Sequence, residues 1–297
     1  MSLIKMRDEQ GVRIISFNRP DKRNAFNLEM YQQLTEYLIE GDSNNEIRAF
    51  MLHGEGNCFT SGNDIADFLQ SGDLNEDHPT VKFLFCLVDL KKPLVAAVSG
   101  AAVGIGTTLL LHCDLVYADN SAKFQMPFVN LALVPEAASS ILLPLIIGQQ
   151  KAEELILLAD AFNAATACEL NIINQVVETD VVEFALTKAK RLASQPPESL
   201  QASRLLLRYN QQQVKQQMQL EPSQETATPT SVSRKDLLDL WVSKLEPAYA
   251  LVAMPGSEVL SLKKGSPKMI DIEVEKRQGN KKFITRVRGL EEVSREN

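Results

Sequence analysis

Residues 93–140, PLVAAVSGAAVGIGTTLLLHCDLVYADNSAKFQMPFVNLALVPEAASS, decide how this chain is read. The apolar run ending at Val98 predicts a buried strand. It enters a glycine-spaced turn, Gly100, Gly104, Gly106. The segment 107–113 then predicts a helix starting at that turn, and 115–117 a second strand. Further on stands a lone carboxylate, Glu136, in an otherwise uncharged patch. Bare backbone N–H groups at a helix start stabilise developing negative charge. A carboxylate in apolar company is a candidate base with a raised pKa. The stretch therefore reads as a device that brings an anion cradle and a base together.

The bulk properties bound the rest. The chain has 297 residues, 44% hydrophobic and 23% charged, which is enough apolar material for a real core. No apolar run is long enough to span a bilayer, and no membrane partner is expected. The N-terminal MSLIKMRDEQG lacks secretory or transit character, and the C-terminal SREN is not a peroxisomal address. A cytoplasmic location is the expectation. Cys58, Cys86, Cys113 and Cys168 contain no CxxC pair and read as single reduced thiols. The three histidines are scattered, so no metal site is expected. The net charge of −7 is unevenly spread. Residues 260–297 carry ten Lys/Arg and six Asp/Glu, which leaves −11 on the first 259. Such a split suggests two parts with different partners.

Taken in order, 1–18 predicts a hairpin turning at Gly11. RPDKRNAFN (19–27) is a loop, with Asn24 and Asn27 as candidate caps. Leu28, Tyr31, Leu34, Tyr37 and Leu38 predict an amphipathic helix over 27–39. A strand follows at 48–53. In 59–68, FTSGNDIADF, small residues and Gly62 let backbone approach a ligand, and Asp64 could cap a short helix. Residues 72–80 are polar loop and 81–90 helical. Helices are predicted at 136–147, 150–158, 182–193 and from the Pro196-Pro197 pair to about 218. A short helix, a left-handed turn at Asn171 and a short strand occupy 165–178. Residues 220–232, LEPSQETATPTSV, read as a flexible linker. Alternation over 270–276 and 283–287 predicts a hairpin with a basic tip: Lys276, Arg277, Lys281 and Lys282.

A carbon next to a thioester carbonyl is weakly acidic. Its enolate is accessible when preorganised N–H groups hold the oxygen. One base can then move a proton between two carbons and so move a double bond, whereas adding water normally asks for two groups. Here four blocks, FNRPDKRNAFN, CFTSGNDIADF, KKPLVAAVSGAAVGIG and HCDLVYADNSAKFQMPF, together resemble the crotonase (enoyl-CoA hydratase/isomerase) superfamily over residues 1–218. The resemblance implies an α/β fold with a crotonase-like spiral core of repeated ββα units. It implies an oxyanion hole from the backbone N–H of Asn63 and of Ile105, the latter next to Gly104. Ser61, Gly62, Asp64 and Ile65 would line the thioester, and Lys22, Asn24 and Ala25 would lie along the CoA nucleotide arm. No separate cofactor is implied, since coenzyme A is part of the acyl-CoA substrate. A homo-oligomer, a trimer, is implied as well.

Departures from the family pattern narrow the activity. Hydratases of this family place glutamates where this chain has Thr108 and Phe128. Glu136 falls where peroxisomal-type Δ3,Δ2-enoyl-CoA isomerases carry their base, and aromatic acyl-CoA dehalogenases use the same position for an aspartate nucleophile. From the residues alone, Glu136 could equally be a first-turn acid of the helix predicted at 136–147. The expected activity is isomerisation of a 3-enoyl-CoA to the 2-trans-enoyl-CoA in fatty-acid β-oxidation. Enoyl-CoA hydration, another acyl-CoA reaction and non-catalytic acyl-CoA binding are the alternatives.

The tail, about 234–293, is similar to the start of the C-terminal domain of ligatin-type translation initiation factors. That likeness implies RNA or ribosome contact through the basic tip, where the plain alternative is a solvated surface. Three parts are thus expected: an acyl-CoA domain over 1–219, a linker over 220–232, and an incomplete C-terminal β-hairpin module over 233–297. The usual closing helices of the family are expected to be replaced after Gln219, as in a natural fusion or a chimera.

Overall fold

The computed structural model of the protein describes residues 2–64, 67, 75–208 and 210–223, and in the tail the backbone of 267–278 and 281–292. Two units divide at residue 254.

The first unit is built on a six-stranded sheet of order β1-β2-β3-β4-β6-β9. β1 (Ile4–Glu9) and β2 (Val12–Phe17) form the expected antiparallel hairpin. The remaining neighbours, β3 (Ala49–Gly54), β4 (Leu94–Val98), β6 (Leu115–Asp119) and β9 (Gln175–Val177), are parallel. AFML and LVAAV read as unbroken apolar runs because both faces of these strands are covered. Val12, Ile14, Ala49, Met51, Val95 and Ala97 pack with Val181, Ala185, Leu186 and Ala189 of a helix, Val181–Ala193. The alternate residues Ile15, Phe17, Phe50, Leu52, Leu94, Ala96 and Val98 enter the main core.

A second, three-stranded sheet has the order β5-β7-β8, with β5 (Ala101–Val103), β7 (Lys123–Gln125) and β8 (Phe162–Asn163). The chain alternates between the two sheets. β4 and β6 pair in one, and β5 and β7, which follow them in sequence, pair in the other. These two circuits each add a strand to both sheets. This is the repeated ββα spiral that the family resemblance implies.

Helix α1 (Leu28–Ser43) is capped by Asn27, whose side chain accepts from Met30 N–H at 2.9 Å. Helix α2 spans Pro79–Asp89. The helix expected over 107–113 is one α turn, α3 (Ile105–Thr108), continuing as a 3-10 turn, Leu109–His112. Helix α4 is Ser139–Ile147, and α5 is Gln149–Leu157. Helix α6 (Ala164–Glu169), the left-handed Asn171 and β9 follow as expected. Val181–Ala193 is α7.

Beyond the start of α4 at Ser139 and the extension of α1 to Ser43, two larger differences from the sequence reading lie after 196. The helix expected from 196 to 218 is two, α8 (Pro197–Leu207) and α9 (Gln211–Ser223). In addition, the linker expected to begin at 220 does not: Leu220, Glu221 and on to Ser223 are helical. Val214, Met218 and Glu221 lie on one face of α9 and are buried, so the packing face outlasts the apolar composition. Residues 224–232 of the expected linker lie outside the described residues.

The second unit contains a hairpin, β10 (Pro267–Gln278) with β11 (Lys281–Glu292). The expected alternating segments fall in it, with Lys276 opposite Phe283 and Gln278 opposite Lys281. Gly279 and Asn280 lie outside the described residues.

Candidate active site

The glycine turn is reached by short-range constraint. Thr60 N–H donates to Ala101 O at 2.9 Å, and Val103 N–H donates to Thr60 O at 3.1 Å. These bonds hold the chain before Gly62 alongside β5, which leads into the glycine turn. A Cβ on Gly62 (φ +99°) would stand 2.9 Å from Val103 O, so only glycine permits this approach. Gly104 has φ +56° and open space where a Cβ would be. Its carbonyl accepts from Thr107 and Thr108 N–H at 2.9 and 3.0 Å. Ile105 begins α3 and is fully buried.

Two donors result. Phe26 N–H donates to Gly62 O at 2.8 Å, and Asp64 N–H donates to Phe26 O at 2.7 Å. In this parallel bridge the flanking residues carry the bonds, and Asn63 N–H points out of the ladder. Ile105 N–H is one of the first-turn donors that a helix cannot satisfy internally. Neither finds an acceptor among the described residues. The Asn63 side chain is held separately: its Oδ1 accepts from Tyr31 OH.

Glu136 is half-buried. Burial first, and then the charge of Glu136, push the Tyr31 phenol well above its ordinary range. Glu136 therefore acts on the residue that holds Asn63. The first-turn-acid reading of Glu136 is corrected here. Helix α4 begins at Ser139, its N-cap position is Ala138, and its first turn contains no acid. Ala137 and Ala138 are both left-handed, φ 58° and 55°, which keeps Glu136 out of the helix. Each such alanine costs on the order of 1–2 kcal/mol. Thr108 and Phe128 are buried at 0% and 4% exposure, so the two positions where hydratases carry glutamates are core here.

The other expected contacts divide. Ser61 is half-buried, its N–H donating to Arg23 O at 3.0 Å and its Oγ to Lys22 O at 3.5 Å. Lys22 is half-buried and Ala25 buried. Asn24 is not available as a side-chain contact. It is buried, its amide donates to Glu55 O at 2.9 Å and Cys58 O at 2.6 Å, and its Oδ1 accepts from Arg19 N–H at 2.8 Å. It braces the loop. Asp64 likewise is committed to an ion pair with Arg19 at 2.7 Å, and Arg19 also donates to Ala25 O at 3.1 Å. Ile65 lies outside the described residues. No cluster of three metal-ligating side chains exists among the described residues, and no helix among them is long and apolar enough to cross a membrane.

Sequence reasoning missed Tyr31, His112 and Glu221. Tyr31 was visible only as one of the apolar stripe. His112 Nε2 donates to Ala137 O at 2.8 Å, and burial holds its ring down to about 4, so it is neutral. Glu221 accepts from Ala138 N–H at 2.8 Å and Ser140 N–H at 3.2 Å, and from Ser140 Oγ. Its one sequence signal is the helical spacing 214, 218, 221.

A two-sheet ββα spiral whose glycine turn and neighbouring loop offer paired backbone donors, with the half-buried Glu136 acting on the tyrosine that holds Asn63, defines an oxyanion-stabilising fold of the crotonase class. The chain belongs to the enoyl-CoA hydratase/isomerase family: that family's model matches residues 7–250. The match runs past Gln219, as α9 does. The chain is 35% identical over 208 residues to enoyl-CoA delta isomerase 2 of Homo sapiens, covering 67% of this chain and 52% of that one. It thus spans about half the length of that relative. It is 30% identical over 216 residues to 2,3-dehydroadipyl-CoA hydratase of Escherichia coli, covering 71% of this chain and 84% of that protein. A crystal structure of an enoyl-CoA hydratase/isomerase from Pseudoalteromonas atlantica superposes with a TM-score of 0.77 at 35% identity, covering 83% of this chain and 99% of that one.

Proposed function

We propose that the protein isomerises a 3-enoyl-CoA to the 2-trans-enoyl-CoA. The Glu136 carboxylate takes a proton from C2 of the acyl chain, and the electrons pass to the thioester oxygen. The N–H groups of Asn63 and Ile105 hold that oxygen as the enolate forms. The same carboxyl returns the proton at C4, and the double bond then lies between C2 and C3. A single oxyanion donor of a preorganised pair is typically worth about 2.7–4 kcal/mol.

The observation that carries this reading is which of positions 108, 128 and 136 holds a carboxylate. Glu136 stands outside α4, whereas positions 108 and 128 are a buried threonine and a buried phenylalanine. One base suits a proton shuttle, and hydration would lack its second group. The test is to assay the wild-type chain and Glu136→Gln against a 3-enoyl-CoA and a 2-trans-enoyl-CoA. The expected result is isomerisation by wild type, lost by about 10²–10⁴-fold in the variant. Hydration exceeding isomerisation, or an active Glu136→Gln, overturns the proposal.

A further inference from the structure

The turn after Glu136 is built in an unfavourable conformation and held from two places far away in sequence. Ala137 and Ala138 are both left-handed without being glycine. Ala138 is the N-cap residue of α4 and has no side chain to cap with. The missing cap comes from α9. Glu221, 4% exposed, accepts from the N–H groups of Ala138 and Ser140 and from the Ser140 hydroxyl. Gln217, one turn earlier on α9, donates to Ser140 Oγ at 2.9 Å. From the 3-10 turn after α3, buried His112 donates to Ala137 O. Ser139 N–H donates back to Glu136 O at 3.0 Å. Every residue from 136 to 140 is thereby tied.

We propose that Glu221 is a positioning residue for Glu136: its carboxylate locks the left-handed turn at Ala137 and Ala138, and the turn sets where the Glu136 carboxylate stands against the substrate. The inference rests on the reading of Glu136 as the base. It gives α9 a role in the reaction without contact with the substrate.

The lock depends on charge. An ionised carboxylate can accept all three bonds. A protonated one turns an acceptor into a donor that faces other donors. Burial raises the Glu221 carboxyl to about 7, against the lowering effect of its bonds from Ser140 and Ala138. The helices packed on α9 are α2 and α4. α2 carries Lys82, Cys86 and Asp89, and α4 carries no titratable group. His112 and Glu136 adjoin the locked turn, and Lys215 lies on α9 itself, paired with Asp89 at 2.6 Å. Glu76, just before α2, accepts from Gln219 of α9 at 2.9 Å. The causes that set the Glu221 carboxyl are its burial and its bonds from Ser140 and Ala138.

The experiment compares kcat, KM and their pH profiles for wild type, Glu221→Gln and Ser140→Ala, with a 3-enoyl-CoA as substrate. In wild type kcat falls as pH drops through about 7. Glu221→Gln lowers kcat by about tenfold, the size expected for lost hydrogen bonds to a charged group, with KM little changed, and abolishes that limb. Ser140→Ala removes a donor that favours the ionised form, so its limb moves to higher pH. A Glu221→Gln enzyme with wild-type kcat and pH profile, or with its loss confined to KM, overturns the proposal. If Glu221→Gln does not fold, Ser140→Ala decides, and an unmoved limb overturns it. A wild-type chain inert toward 3-enoyl-CoA overturns the isomerase reading instead. The lock is then read by amide hydrogen exchange at Ala138: faster exchange in Ser140→Ala supports it, and unchanged exchange overturns it.

Discussion

Tyr31 donates its phenolic hydrogen to the side-chain oxygen of Asn63. The bond joins the first turn of α1 to the loop whose backbone offers one of the two free donors. The Tyr31 ring is locked by neighbours, edge-on to Phe26 at 5.4 Å and tilted to Phe83 at 5.4 Å. A rigid aromatic anchor thus fixes the direction of the Asn63 peptide before any substrate arrives, which is the condition for electrostatic preorganisation.

Removing only that hydroxyl tests the idea. Tyr31→Phe keeps the aromatic packing and loses one part-buried hydrogen bond, worth about 0.5–1.5 kcal/mol. Isomerase kcat is expected to fall by roughly 3–10-fold, a factor equivalent to that energy, while far-UV circular dichroism stays unchanged. Steady-state kinetics beside a thermal melt checks it. A stability loss without a kcat loss would place the bond outside the reaction.

Gly62→Ala is expected to damage both stability and turnover. The new methyl would press on Val103 O in a backbone conformation, φ +99°, that alanine rarely adopts. Strain of this kind costs on the order of 1–3 kcal/mol. Relief requires the loop to withdraw from β5, which moves Asn63 N–H from its partner donor. Urea midpoints report the first effect and kcat the second.

The two groups that hold the Ala137–Ala138 turn should give opposite pH dependences of stability. His112 is lowered from 6.5 to about 4 by burial. The unfolded chain binds that proton first, so this contribution is present above pH 6.5 and lost as pH falls through 4. Glu221 is raised from 4.5 to about 7, chiefly by burial. Its contribution is present below pH 4.5 and lost as pH rises through 7. Each is worth about 3 kcal/mol, so they largely cancel between pH 4.5 and 6.5. Relative to wild type, Glu221→Gln should gain stability as pH rises across that window, and His112→Gln should lose it. Denaturation midpoints at half-unit pH steps measure both slopes, and parallel profiles would exclude the assignment.

Much of the scaffold was legible because its signals are local. Apolar runs such as AFML and LVAAV announced strands covered on both faces, and Asn27 announced the start of α1. Gly62 and Gly104 marked backbone conformations that other residues resist. Glu136 stood out as a charge among uncharged neighbours, whereas Thr108 and Phe128 gained meaning only from the family resemblance. Less legible were the residues whose roles depend on a distant partner. The resemblance places Asn24 and Asp64 along the substrate, and only the fold shows that their side chains are taken by Cys58 O, Glu55 O and Arg19. Residues 220–223 look like linker by composition, and only the buried face of α9 shows that they are helix.

By itself, then, the sequence determined the first hairpin, the apolar strands and the glycine turns, which are written in spacing, glycine and polarity along the chain. The spiral of ββα units, the paired backbone donors and the role of Glu136 were implied by the resemblance of four motif blocks to the crotonase superfamily. The tertiary structure alone decided that Glu136 lies outside α4. That outcome depends on hydrogen bonds spanning 25 residues from His112 to Ala137 and 83 from Ala138 to Glu221. A left-handed alanine has no signature in sequence. At Ala137 and Ala138 folding brings up a buried donor, His112, and a buried acceptor, Glu221, to hold it.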